Sequence, residues 1–337
     1  MNARLQTAAP LPRLGFLGVG WIGCQRMQAL ADAGVATVAA IADPHAESLA
    51  RAAQHAPGAR QCRSIGELLD ADDLDGIVIA TPSGAHALQA IAALQRGLAV
   101  FCQKPLTRTA AEAEQVLEAA RAANRHIAVD FSYRAVAGVP ELREQVQQGA
   151  LGEVYAVDLV FHNAYGPDKA WFYELAQSGG GCVMDLGTHL VDMAQWICGS
   201  TGHADMSAAL FAQGQRLQLP ADRVEDYAVA QWRLDSGAQV RLACSWRLPA
   251  GCEAVIQAAF YGTGGGAALS NVGGSFYDFK VERFDGTSRS VLAAPPDPWG
   301  GRTLVEWSKR LREDRSFDPA AVELLQVART VDALYGR

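Results

Sequence analysis

Residues Gly18-Val19-Gly20-Trp21-Ile22-Gly23 follow an apolar run at positions 14–17 and open a helical stretch that closes near Gly34. Strand, tight turn and helix in that order commit the chain to begin as a βαβ unit, and the glycine spacing suits a dinucleotide pyrophosphate. Gly18 permits the sharp bend, Gly20 removes the side chain that would block the anion, and Gly23 lets the helix pack closely on the strand. Trp21 and Ile22 begin the helix, whose free N–H groups and positive dipole end face the phosphates.

An acidic residue stands where such a turn needs one. Positions 35–42 form a second buried-strand candidate, and Asp43 ends it, 20 residues beyond Gly23. A carboxylate there accepts hydrogen bonds from both ribose hydroxyls of an adenosine. It repels a 2′-phosphate by between ~1 and ~4 kcal/mol at 4 Å, depending on the effective dielectric. Pro44 and His45 follow, with no arginine to receive that phosphate, so NAD is expected in preference to NADP.

The 337 residues exceed an ordinary single domain, and two domains are expected. Half the residues are hydrophobic, yet no apolar run reaches the ~18 residues that a membrane span needs. Residues 1–12 lack the continuous apolar core of a secretory signal and read as a loose tail. A net charge of −7 with no basic cluster argues against a nucleic-acid footprint. Seven scattered cysteines, never in a Cys-x-x-Cys pair, suit neither a disulfide framework nor a zinc site. They imply a reducing, cytoplasmic compartment and no structural metal.

The expected fold class is α/β. From residue 13 to about 135, apolar strand candidates at 14–19, 35–42, 60–63, 76–81, 98–102 and 127–132 alternate with helical stretches, the pattern of a doubly wound parallel sheet. This defines a dinucleotide-binding domain, 1–135. The helix at 110–124 is the clearest, with Thr107 and Thr109 as capping hydroxyls. Residues 136–337 read as an α+β domain: helices at 140–148 and 185–198, and strands at 152–162, 206–213, 225–234, 238–246, 254–261 and 276–284. Few helices separate these strands, so a mostly antiparallel sheet is expected. Asp235-Ser236-Gly237 reads as a hairpin turn, residues 262–266 as a flexible glycine turn, and residues 318–335 as an amphipathic tail helix.

Chemistry concentrates in three segments. Thr81-Pro82-Ser83-Gly84-Ala85-His86 and Gln103-Lys104-Pro105 each follow a strand of the first sheet, at the carboxyl edge where open α/β sheets bind ligands. Proline after Lys104 keeps that residue out of helical geometry and fixes its direction. The third segment is Gly179-Gly180-Gly181 followed by Asp185, His189 and Asp192. At 100° per residue these three polar groups fall within a sector of roughly 60°, beside an apolar stripe of Leu186, Leu190, Met193 and Ile197. A carboxylate one turn before a histidine orients the imidazole and raises its pKa. Trp171, Phe172 and Tyr173 offer an aromatic wall for a sugar ring.

The glycine turn, Thr81-Pro82-x-x-x-His86, Lys104-Pro105 and the block from Gly179 to Asp192 together resemble the Gfo/Idh/MocA oxidoreductases, and the likeness runs in order along nearly the whole chain. The resemblance implies a Rossmann domain, then an α/β domain whose large open sheet forms a homodimer or homotetramer. It implies hydride exchange between a nicotinamide cofactor and a sugar, cyclitol or sugar-derivative alcohol or carbonyl. By the same resemblance Lys104, Asp185 and His189 form the catalytic set. Ser83, His86, Gln103, Ser132, Trp171 and Phe172 match positions that approach cofactor or substrate, with Arg134 and His162 as further substrate candidates. The family carries Glu before the Lys-Pro pair where this chain has Gln103, an amide that still bonds to ribose but brings no charge. The rivals are a reductase of some other small carbonyl, diol or imine, and a non-catalytic dinucleotide sensor, which has no need of a proton-transfer set.

Overall fold

A computed structural model describes residues 10–337, so the tail reading for residues 1–9 lies outside the described residues. Six strands, β1 (Arg13–Leu17), β2 (Thr37–Ala42), β3 (Arg60–Cys62), β4 (Gly76–Ile79), β5 (Ala99–Cys102) and β6 (Ile127–Val129), form one sheet in the order β3-β2-β1-β4-β5-β6. Every pairing in it is parallel. Strands β4 and β5 are buried along their whole length, which is why they read as unbroken apolar runs. The crossover helices are α1 (Trp21–Ala33), α2 (Ala46–His55), α3 (Ile65–Leu69), α4 (Ser83–Gln95) and α5 (Ala110–Ala123). Helix α5 starts as its sequence predicts, with the Thr109 hydroxyl accepting from the Glu112 N–H, and stops where Asn124 turns left-handed.

The strand order reverses between β1 and β4, and that reversal opens a crevice at the carboxyl edge. Backbone bonds run across this edge in a rank. The Asp43 N–H donates to the Cys62 carbonyl, Gly18 to Ala42, Ala80 to Leu17, Gln103 to Ile79 and Asp130 to Cys102. Residues far apart in sequence therefore stand side by side along one rim.

The second sheet has nine strands in the order β15-β14-β13-β12-β7-β11-β10-β8-β9, and only β7 and β11 run parallel. The chain enters it through α6 (Val139–Gln147), then β7 (Val154–Asn163), the short α7 (Leu175–Ser178) and α8 (Thr188–Cys198). There follow β8 (His203–Ala212), β9 (Gln215–Arg216), β10 (Tyr227–Leu234), β11 (Gln239–Ser245), β12 (Ala254–Gly262), β13 (Gly265–Asn271), β14 (Phe279–Asp285) and β15 (Ser288–Ala293). The Asp235-Ser236-Gly237 turn joins β10 to β11 as expected, with Gly237 at φ 94°. The glycine run at 262–266 is a hairpin corner and the start of β13, an unexpected strand. It is tucked against Leu151, whose carbonyl oxygen lies 2.0 Å from where a Gly262 Cβ would stand. Val157, Leu159 and Phe161 of β7 are buried on one face of the sheet, while Asp158 and Arg241 pair at 2.7 Å on the other.

Two helices close the chain, α9 (Arg302–Glu313) and α10 (Val322–Leu334). Helix α9 returns to the first sheet: Leu304, Trp307 and Leu311 bury beside Phe16 and Val78, and Trp307 packs on Phe101 at 5.6 Å. Its apolar positions recur at helical spacing, but the charges between them hide the pattern from composition alone. Among the described residues no helix is long and apolar enough to cross a membrane.

Close approaches explain two of the glycines. A Cβ at Gly23 would lie 2.4 Å from the Gly18 oxygen, and one at Gly181 would lie 1.8 Å from the Glu225 oxygen. Gly23→Ala and Gly181→Ala are each expected to destabilise the fold by about 1–3 kcal/mol or more, the range for overpacking. The difference in urea midpoint at unchanged slope checks this.

Candidate active site

The rim of the first sheet supplies one wall. At its glycine turn Gly18 adopts φ 83°, where a Cβ would strike the Ala80 carbonyl at 2.6 Å, and no atom lies within 4 Å of a Cβ built at Gly20. Helix α1 starts there with no acidic residue in its first turn and no side-chain cap, and Trp21 is 64% exposed. Asp43 lies beneath the turn: one carboxylate oxygen accepts from the Val19 N–H (3.1 Å), the other from the His45 N–H (2.9 Å). An open approach, a helix start with no side-chain cap among the described residues and a carboxylate beside it fit the pyrophosphate and ribose of a dinucleotide.

The segments after β4 and β5 are tied together by His86. Its Nδ1 faces the Pro105 carbonyl and its Nε2 the Thr81 carbonyl, both at 2.8 Å, and it is 1% exposed. Carbonyls only accept, so both bonds form only when both nitrogens carry protons. Burial opposes that charge, as does Lys104, and together they push the His86 pKa down. The neutral ring carries one N–H, so it donates to one of these carbonyls while packed between the Thr81-Pro82-Ser83 turn and Lys104-Pro105. Ser83 is buried at the first residue of α4, and the Thr81 hydroxyl donates to Gln89.

Lys104 reaches out of the first sheet to the glycine-led helix. Its Nζ donates to both the main-chain carbonyl and the carboxylate Oδ1 of Asp185, each at 2.7 Å. The Trp246 indole donates to the other carboxylate oxygen at 3.0 Å. Asp185 therefore serves Lys104 and Trp246 rather than orienting His189. The reason is local: residues Val183–Gly187 wind as a π turn, which displaces Asp185 from the α spacing that aligned it with His189.

His189 is 8% exposed, and its Nδ1 is buried with no hydrogen-bond partner among the described residues. Its ring packs edge-on against Tyr133 at 4.8 Å. Burial, then the charges of Lys104 and Arg26, hold its pKa well below the ordinary 6.5, opposite to the rise expected from an aspartate partner. Lys104 thus meets this helix at Asp185, four residues before His189.

Other candidates are placed elsewhere or engaged otherwise. Asp192 is buried and gripped by Arg134, whose Nε lies 2.9 Å from Oδ2 and whose guanidinium also covers Phe131 and Trp196. Arg134 is thereby committed within the protein. His162 follows Phe161, which packs on Tyr133, so strand alternation turns His162 to the opposite face of the sheet. There it bonds to the Ser245 hydroxyl at 2.8 Å and stacks with Tyr227. Gln103 donates to Asp130, which also takes Arg26 and Thr303 at 2.6 Å each. Ser132 is buried in the turn Ser132–Ala135 after β6. Trp171 stacks on Phe172 at 3.8 Å, and Phe172 and Tyr173 both pack on Trp246. The aromatic run thus reaches Asp185 through Trp246. Trp246, Tyr133, Arg26 and Asp130 carry no sequence signal of their own, except that Asp130 ends a strand on the ligand-binding edge.

Two family profiles match the chain. One is described as an oxidoreductase family with an NAD-binding Rossmann fold, over residues 13–131, and the other as the GFO/IDH/MocA C-terminal domain, over residues 139–268. The chain is 31% identical to the rhizopine catabolism protein MocA of Rhizobium meliloti over 187 residues, 56% of this chain and 57% of that protein. It is 37% identical to an inositol 2-dehydrogenase of Leifsonia xyli subsp. xyli over 196 residues, 58% of this chain and 56% of that protein. The chain thus spans little more than half the length of these relatives. An aldose-aldose oxidoreductase from Caulobacter crescentus, solved in complex with glycerol, shares the fold at a TM-score of 0.83 and 21% identity over 97% of each chain.

Removing a neighbouring cation raises a histidine's pKa. The His189 imidazole is expected to titrate below 6.5 by NMR, and Lys104→Met is expected to move that midpoint upward. A wild-type midpoint above 6.5 contradicts the placement of the two cations.

Proposed function

This chain belongs to the Gfo/Idh/MocA oxidoreductase family, and from that premise we propose that it interconverts an alcohol and a carbonyl on a sugar, cyclitol or sugar derivative with NAD. The observation that carries the reading is the Lys104–Asp185 contact. It draws the end of β5 and the glycine-led helix together at the crevice where the dinucleotide turn opens. A nicotinamide, when bound, accepts or returns a hydride, and the proton of the alcohol is left to the protein. Gly18, Gly20 and Gly23 with the start of α1 hold the pyrophosphate, Asp43 the adenosine ribose, and Thr81, Pro82, Ser83 and Gln103 flank the cleft.

Lys104 directs its ammonium at the substrate oxygen, steadied at two points by Asp185. His189 receives the proton. Burial, then the two cations, hold its imidazole pKa down, so the ring meets the substrate neutral, with a lone pair to accept the proton. Trp171, stacked on Phe172, offers its outer ring face to the C–H side of a pyranose. A cytoplasmic homodimer or homotetramer, joined through the sheet face that carries Asp158 and Arg241, completes the proposal.

NAD reduction across a panel of polyols tests it: turnover supports the reading, and tight binding without turnover on any of them favours a sensor. His189→Ala is expected to lower kcat by ~10²–10⁴ with NAD affinity nearly unchanged, measured by steady-state kinetics and titration. Asp43→Ala is expected to relax the preference for NAD. Tighter wild-type binding of NADP in the same titration removes Asp43 from that role.

A further inference from the structure

The helix that bears Asp185 and His189 begins inside the protein, and its first four N–H groups are all claimed from distant parts of the chain. Gly181 and Val183 donate to the two carboxylate oxygens of Glu225, each at 2.9 Å. Cys182 donates to the Glu225 carbonyl at 3.1 Å, and Met184 to the Tyr335 hydroxyl oxygen at 3.1 Å. The Tyr335 hydroxyl in turn donates to Glu225 at 2.8 Å. Only then does the helix start, with the Asp185 N–H on the Gly181 carbonyl.

A helix leaves four such donors unpaired, and neighbouring side chains or water ordinarily cap them. Here the cap comes from residues that are 0% exposed, one just before β10 and the other two residues from the chain end. The paired glycines make room for it. A Cβ at Gly180 would lie 2.0 Å from the Tyr335 hydroxyl, and one at Gly181 would strike the Glu225 carbonyl. A carboxylate at the positive end of a helix dipole adds favourable electrostatics to the geometry.

We infer that Glu225 and Tyr335 are positioning residues, which anchor the first turn of this helix and thereby aim Asp185 at Lys104 and His189 at the reacting centre. Asp185 is the first residue beyond the four capped ones, so fraying of the cap reaches it at once. The inference rests on the proton-transfer reading proposed above, and its test separates the two.

Tyr335→Phe removes one hydroxyl and leaves the Met184 N–H without a partner, while the buried ring still packs. The expected result is a folded protein with unchanged NAD affinity and a kcat at least ~10-fold lower, as for a small misplacement of reacting groups. The His189 titration midpoint seen by NMR is expected to move as well, because Asp185 no longer steadies Lys104. Glu225→Gln, which turns an acceptor toward a backbone N–H into a donor, is expected to act more strongly, and it decides the matter should Tyr335→Phe fail to fold. The midpoint needs no turnover. If it moves in a protein that oxidises no polyol, the positioning role stands and the activity reading falls. Folded variants whose midpoint matches wild type, and whose kcat stays within twofold of it, overturn the positioning role.

Discussion

One ammonium bridges the two halves of the molecule. Lys104 leaves the end of β5 and meets Asp185 across the crevice, bonding to its carbonyl and its carboxylate together. A single bond would leave the lysine free to swing; two acceptors on one residue define a direction. Both side chains are largely withdrawn from water, 20% and 14% exposed, where an ion pair loses much of its hydration and is sustained only by good geometry. Trp246 supplies part of that geometry by occupying the second carboxylate oxygen. The electrostatics of the site follow, since burial first, and then this fixed cation together with Arg26, disfavour charge on His189.

Around this contact the protein spends its buried polar groups on orientation. Asp130 gathers Arg26, Gln103 and Thr303 behind the cofactor edge, joining α1, β5 and α9 at one carboxylate. Arg134 locks Asp192 one turn beyond His189, and Glu225 with Tyr335 holds the helix start. Each carboxylate is buried yet supplied with several donors, the condition under which a buried charge is tolerable. The result is a helix fixed at its beginning and again one turn past His189.

Local patterns carried much of the architecture. Buried parallel strands announce themselves as apolar runs, and the strands of the first sheet lie where those runs fall. The glycine turn was legible from its spacing: Gly18 and Gly23 answer close approaches, and Gly20 leaves the way to the turn open. Strand β13 was not, because Gly265-Gly266-Ala267-Ala268 lacks the branched and aromatic residues that mark strands, and its pairing with β12 decides its state. Helix α9 was hidden by its charges, although Leu304, Trp307 and Leu311 sit at helical intervals. The placing of Asp185 against His189 went astray for a different reason: angular arithmetic assumes α winding, and one π turn defeats it.

By itself the sequence determined which residue types were available and in what local frame. It set the dinucleotide turn, the carboxylate ending the second strand, the lysine after the fifth and the polar edge of one helix, since short-range sterics and periodicity suffice for these. Tertiary structure alone decided their partners. That Asp185 answers to Lys104, Asp192 to Arg134, and the helix start to Glu225 and Tyr335 depends on which surfaces meet across more than 40 residues of chain. No local spacing encodes that meeting, because a buried charge takes whichever donor the packed core brings within reach.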